Sequence, residues 1–285
     1  MIKLIATDLD GTLFYPKRRL SLISKKNVKF LRDFHGAGGD IVLVSGRSRR
    51  MGKMVNKKLG FETEMLGCCG TYVVENGQIA VSHPLDRQAI MELYMSARND
   101  YGIIGWMLFD DTDYIKIAPT DMGNMLVLAA TLANRFLGVY REKYITSETK
   151  FIQAVAHHPV YKLMPCFGLN MKKARERGIA AKMSIEQKFP GKFTIAVSPP
   201  MIEITTGGVT KASTLESYIE GKHLTKDEIA VAGDSFNDMS LFDTFPNSYA
   251  MLSGEESVRK KAKYVVKTVA DMRDTVLGAD GKLKD

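Results

Sequence analysis

The strongest constraint on the fold is a set of short apolar runs that each stop at small or acidic residues. Residues 41–44 and 229–232 carry no polar side chain on either side of a pleat. A strand built from them must be covered on both faces, as in a parallel sheet. Residues 2–8 read as a third such strand, cut off by Asp10-Gly11. Over 21–35 helical spacing puts Leu22, Val28, Leu31 and Phe34 on one face. Ser21 is the expected cap, and Gly36, Gly38 and Gly39 are the expected stop. A second helix over 51–59 ends at Gly60, with Met51 and Met54 as core filler. The alternation of strand and helix predicts an α/β fold around a parallel sheet. Asn76-Gly77, between 71–75 and 78–82, predicts a hairpin.

The pattern changes at Pro84 and returns after Pro199-Pro200. Between them the sequence predicts helices near 86–99, 121–137 and 171–188. It predicts strands near 103–109, 114–118, 160–167 and 192–198. Asp110, Asp111 and Asp113 read as a solvated hairpin turn, and His157-His158 as a loop. A strand at 201–205, a helix at 211–220 and a strand at 228–232 then resume the first style. The expected division is a core from 1–83 and 200–285, interrupted by an inserted domain at 84–199.

The net charge of +8 suits anionic partners without choosing among phosphate esters, nucleic acid and acidic membranes. The densest basic stretch is Arg47, Arg49, Arg50, Lys53, Lys57 and Lys58. No aromatic residues interleave it, so it reads as a solvated helix face rather than a nucleic-acid patch. The apolar stretch 125–133 is far short of the ~20 residues a membrane span needs. The N-terminus reaches two acids by residue 10, which breaks any signal-peptide apolar region. Cys68, Cys69 and Cys166 fit a reducing compartment as small apolar residues. The expectation is a cytoplasmic protein with no membrane or nucleic-acid partner.

Chemistry concentrates where strands end. Asp8-Leu9-Asp10-Gly11-Thr12 closes the first strand, and ligands of open α/β sheets bind at carboxyl ends. Residues 42–44 run into Ser45-Gly46-Arg47, which offers a hydroxyl and backbone N–H groups to a phosphate. Gly207-Gly208-Val209-Thr210-Lys211 places a lysine at a helix start. Residues 229–232 run into Gly233-Asp234-Ser235-Phe236-Asn237-Asp238. Taken singly, Ser45 could be a cap, Lys211 a surface cation and Asp234 a turn residue; in this order they form a set. A carboxylate attacking a phosphate dianion meets repulsion of roughly 4 kcal/mol per unit-charge pair at 4 Å and an effective dielectric of 20. Asp10, Asp234 and Asp238 would add to it. A hard oxygen-liganded cation removes the conflict, and magnesium, which needs few carboxylates, fits.

These residues resemble the haloacid dehalogenase superfamily of aspartate-nucleophile phosphatases. Asp8 to Thr12 match its first motif, Ser45 its second, Lys211 its third, and Gly233-Asp234 with Asp238 its fourth. The Gly-Asp-Ser-Phe-Asn-Asp run and the insertion between the second and third motifs look like the Cof-type branch. The resemblance implies a Rossmann-like parallel-sheet core with an inserted α/β cap domain. It implies that Asp8 is the nucleophile and that Asp10 is the general acid and then base. Magnesium would be held by Asp8, the backbone carbonyl of Asp10 and Asp234, with Asp238 in support. Leu9, Gly11, Ser45, Gly46 and Lys211 would hold the phosphoryl group, and Asn237 would orient substrate or Lys211. Arg47 receives no role.

Two stretches depart from the family pattern. Cys69-Gly70 stands where Asn-Gly is frequent, and Ala250-Met251-Leu252-Ser253-Gly254 replaces Ala-Met-Gly-Asn-Ala. The reading is a magnesium-dependent phosphatase of small phosphorylated metabolites, sugar phosphates or similar. Phosphoryl transfer to a second sugar, a non-catalytic binding protein on the same fold, and a nucleic-acid binder are the alternatives.

Overall fold

The computed structural model describes residues 1–14, 22–120 and 142–284. Ser21, the expected helix at 121–137 and the apolar stretch 125–133 lie outside them. The chain divides into two compact units, Met1–Val81 with Thr210–Asp285, and Ser82–Val209.

The first unit begins with β1 (Leu4–Thr7), α1 (Lys25–Gly36), β2 (Asp40–Val44) and α2 (Arg49–Leu59). β3 (Glu64–Gly67), β4 (Tyr72–Glu75) and β5 (Gln78–Ser82) follow, the last two joined at Asn76-Gly77. α1 starts later than its apolar spacing predicts. Ser24, not Ser21, is its cap, accepting from the Asn27 N–H at 3.1 Å. Ser45, Leu66 and Tyr72 are all buried.

The second unit contains α3 (Arg87–Ala97), β6 (Gly105–Asp110), β7 (Tyr114–Pro119) and β8 (Lys143–Thr146). It continues with α4 (Glu148–His157), β9 (Val160–Cys166), α5 (Met171–Lys188), β10 (Phe193–Ser198) and β11 (Met201–Thr206). The chain then returns to the first unit as α6 (Lys211–Gly221), β12 (Ile229–Gly233), α7 (Met239–Thr244), β13 (Asn247–Met251) and β14 (Tyr264–Val266).

Among the described residues the first unit's sheet has the order β14-β13-β12-β1-β2-β3-β4-β5. It is parallel from β14 through β3, and β4 runs antiparallel to β3. The unbroken apolar runs explain this. Ile5 and Leu43 pack with α1 and α2 on one side, through Phe34, Val55 and Leu59. Leu4, Val42 and Val231 pack with α6 on the other, through Leu215 and Ile219. Each fully buried side chain of this size contributes roughly 1.5–3 kcal/mol. β1 lies between β12 and β2, so the carboxyl ends of three neighbouring strands open side by side.

The second unit's sheet has the order β10-β11-β9-β6-β7-β8. Trp106, Leu108, Leu163, Ile202 and Ile204 from its strands share one core with Leu93, Phe151 and Ile185 from its helices. β11 corrects the expected boundary at 199/200. It pairs antiparallel with β10 from Ser198↔Met201 to Phe193↔Thr206, and with β9 at Ile204↔Leu163. Pro199-Pro200 is thus the turn of a hairpin, not a linker, and the unit runs on to Val209. Two further readings change. Asp110 is buried rather than solvated, because Lys116 reaches back across the hairpin to pair with it. His157 ends a helix instead of lying in a loop. No helix among the described residues is long and apolar enough to cross a membrane.

Candidate active site

Asp8 follows β1 and is fixed by its backbone N–H, which donates to the Ala232 carbonyl at 2.9 Å. Asp234 follows β12 next door, and Ser45 follows β2 on the other side, its N–H donating to Leu66 at 2.9 Å. Lys211 opens α6. Thr210 caps that helix, accepting from the Ser213 N–H at 3.1 Å, which sets where the lysine leaves the backbone.

The Lys211 side chain is 1% exposed. Its Nζ donates to Asp8 Oδ1 at 2.7 Å, Asp238 Oδ1 at 2.6 Å and Asn237 Oδ1 at 3.3 Å. The other Asp238 oxygen accepts from the backbone N–H groups of Asp234 and Ser235 at 3.0 and 3.1 Å. Ser235 Oγ lies 2.7 Å from Asn237 Oδ1, so two donors converge on that amide oxygen. Thr12 Oγ1 donates to Asp234 Oδ1 at 2.9 Å. Gly11 has φ +81, and a Cβ there would lie 2.1 Å from Asp234 Oδ2. Only glycine lets the first motif pass this close to Asp234.

Two carboxylates therefore pair with one ammonium, and Asp234 lies beside them. Burial pushes the Asp8 carboxyl well above the usual range; Lys211 opposes this, and Asp238 and Asp234 reinforce it. Burial, with Asp238, raises Asp234 to about 6. Burial also works against the Lys211 charge, but Asp238 and Asp8 outweigh it and hold the ammonium on. Asp8, Asp234 and Asp238 each offer an oxygen within 4.8 Å of the others. An all-oxygen, electron-rich donor set of this kind fits a hard divalent cation.

The other predicted residues separate. The Asp10 carboxylate is not in this cluster; Arg47 holds it, Nε and one terminal nitrogen each at 2.6 Å from one of its oxygens. Only its backbone carbonyl is left for the metal role. The Leu9 side chain is buried in the apolar core, so any phosphate contact there falls to its backbone. Ser45 Oγ accepts from the Arg47 N–H at 3.2 Å, and Gly46 lies in the same turn. Arg47 is the residue that sequence reasoning missed. It is not part of a solvated helix face, since α2 starts at Arg49. The available signal was its place two residues after Ser45, in the turn that follows the strand beside β1. Cys68 and Cys69 both adopt left-handed backbone, with φ 46 and 63, and the Cys69 N–H donates to the Ser45 carbonyl at 2.9 Å. None of the three cysteines is in a disulfide. Leu252 donates to Val266, and it is 46% exposed. In the second unit Asp110, Asp111 and His158 also lie together, with His158 Nδ1 2.8 Å from Asp111 Oδ1.

Residues 5–277 match the family described as haloacid dehalogenase-like hydrolase. The chain is similar to a pyridoxal phosphate phosphatase of Escherichia coli K12, YbhA, at 23% identity over 93% of each chain. It is similar to a 5-amino-6-(5-phospho-D-ribitylamino)uracil phosphatase of Bacillus subtilis, YcsE, at 22% identity over 94% of this chain and 90% of that one. Its fold is similar to a solved haloacid dehalogenase-like hydrolase from Bacteroides thetaiotaomicron, with TM-score 0.78, 23% identity, and 97% and 100% of the two chains covered.

Proposed function

The chain belongs to the haloacid dehalogenase-like hydrolase family, and from that premise we propose a magnesium-dependent phosphatase that takes small phosphorylated metabolites through a phosphorylated Asp8. The observation that carries this reading is the convergence of Asp8, Asp234 and Asp238, with the buried Lys211 ammonium paired to Asp8 and Asp238. Asp8 is the nucleophile, and its oxygen displaces the ester oxygen at phosphorus. Asp10 gives the leaving oxygen a proton and later takes one from the attacking water. Lys211 neutralises charge on the transferring group, and Ser45 and Gly46 bind its oxygens. The Asn237 oxygen is turned toward Lys211 and Ser235, which leaves its NH₂ to donate to substrate. Magnesium would be held by Asp8, Asp234 and the Asp10 carbonyl, with Asp238 in support, and would offset the negative charge that repels a phosphate dianion.

The relatives are named for phosphate esters of two different frameworks, pyridoxal and a ribitylamino uracil. The phosphate ester is their common element, and sugar phosphates or similar metabolites are the class we favour. The inserted unit is assigned as a cap domain that selects among them. Three cysteines outside any disulfide support a reducing, cytoplasmic setting. The test is phosphate release from a panel of phosphorylated metabolites with magnesium, for the wild type and Asp8→Asn. Turnover by Asp8→Asn at the wild-type rate would sink the nucleophile assignment, since an amide cannot form the acyl phosphate.

A further inference from the structure

Resting on the phosphatase reading above, we propose that Arg47 is the positioning residue for Asp10. The Asp10 side chain is 48% exposed and that of Arg47 only 18%. A half-exposed aspartate free of partners samples several rotamers. Here two parallel donors at 2.6 Å fix both the place and the plane of its carboxylate. A partly exposed ion pair adds little to stability, so orientation is what this fork supplies.

Arg47 is itself anchored from two sides. Its N–H donates to Ser45 Oγ at 3.2 Å. Its carbonyl accepts from the Cys68 N–H at 3.1 Å and faces the Tyr72 hydroxyl at 3.5 Å. The direction of Asp10 is therefore set by the turns after β2 and β3 rather than by its own segment. In the first half-reaction the Asp8–phosphorus bond forms as the ester P–O bond breaks. The leaving oxygen takes the Asp10 proton; the water that later attacks phosphorus breaks the Asp8–phosphorus bond, frees the Asp8 carboxylate and returns a proton to Asp10. A carboxyl that wanders cannot meet that oxygen on time, and the cost falls on leaving groups that most need the proton.

The experiment uses the full chain with magnesium and a graded series of aryl and alkyl phosphates. It reads log kcat/KM against leaving-group pKa for wild type, Arg47→Met, Arg47→Lys and Asp10→Asn. Arg47→Met should steepen the slope, with alkyl esters losing on the order of 10²-fold, the lower end of a general acid's contribution, and the best aryl ester only about threefold. Arg47→Lys, which keeps the charge but not the fork, should fall between and serves if Arg47→Met does not fold by circular dichroism. In the Asp10→Asn background, adding Arg47→Met should leave the slope where Asp10→Asn put it. A merely structural role would lower every ester by one factor. Parallel lines from an active wild type, or no change at all, overturn the positioning role alone. A folded wild type that releases no phosphate from any ester overturns the phosphatase reading and this inference together.

Discussion

Replacing Lys211 with methionine keeps the stem and removes the charge. The lost Nζ sits 2.7 Å from Asp8 and 2.6 Å from Asp238, both buried. At an effective dielectric of 20 each contact is about 6 kcal/mol of gross attraction. Desolvation of the three groups offsets most of it, and breaking one partner out of a buried pair leaves a net loss of about 3–5 kcal/mol. The loss depends on pH. The Asp8 carboxyl is already held well above the usual range by burial and by Asp238, and without Lys211 it rises further. A carboxyl raised in the folded state contributes stability below its unfolded value, and that contribution disappears as pH rises through the folded one. The deficit of Lys211→Met relative to wild type should thus be small near pH 4 and grow toward pH 8. The single tryptophan, Trp106, lies in the other unit. Hydrogen exchange of β1 and β12 peptides, without divalent ions, is therefore the assay rather than fluorescence. Equal protection of both proteins at pH 8 would refute the picture of Lys211 as the buried counter-charge. Phosphate release should fall by about 10²–10³, the scale of one lost electrostatic stabiliser.

The raised Asp8 and Asp234 carboxyls, the latter at about 6, make the metal-free site unfavourable as pH rises. The gain in Tm on adding magnesium should accordingly be larger at pH 7.5 than at pH 5, and a gain that shrinks with pH would contradict the ligand set. Excess chelator should abolish phosphate release, measured as inorganic phosphate. Gly11→Ala puts a methyl 2.1 Å from Asp234 Oδ2 at φ +81. It should weaken magnesium affinity measured by calorimetry and cost about 1–3 kcal/mol through backbone strain. Unaltered affinity would show that the close approach is slack.

Much of the fold could be read because local signals agreed. The apolar runs at 41–44 and 229–232 became interior strands, and the helix expected at 171–188 is α5. The features that escaped depend on what lies across a gap in sequence. Arg47 and Asp10 are 37 residues apart and meet only because β1 and β2 are neighbours. Asp110 looks like a turn residue until Lys116 folds back onto it. β11 has the composition of a core strand, and only its partner, β10, shows which sheet takes it. That Asp8, Lys211, Asp234 and Asp238 would come together was legible in residue type and in their places at strand ends and a helix start. The orientation of each carboxylate was not, because Thr12, Arg47 and Ser235 set it from other segments or through their own hydroxyls.

The pairing of Leu4 with Ile229 also bears on synthesis. One edge of β1 has no partner until β12 has left the ribosome. At 5–20 residues per second that delay is roughly 10–45 s. Meanwhile Ser82–Val209, whose strands pair among themselves, can close its own contacts. An open strand edge of this kind is a template for wrong pairing, and β2 can protect only the other side. Asp8 is among the first residues made, while Lys211 and Asp238 arrive near the end. The nascent chain therefore carries Asp8 long before it has the counter-charge that allows this carboxyl to be buried.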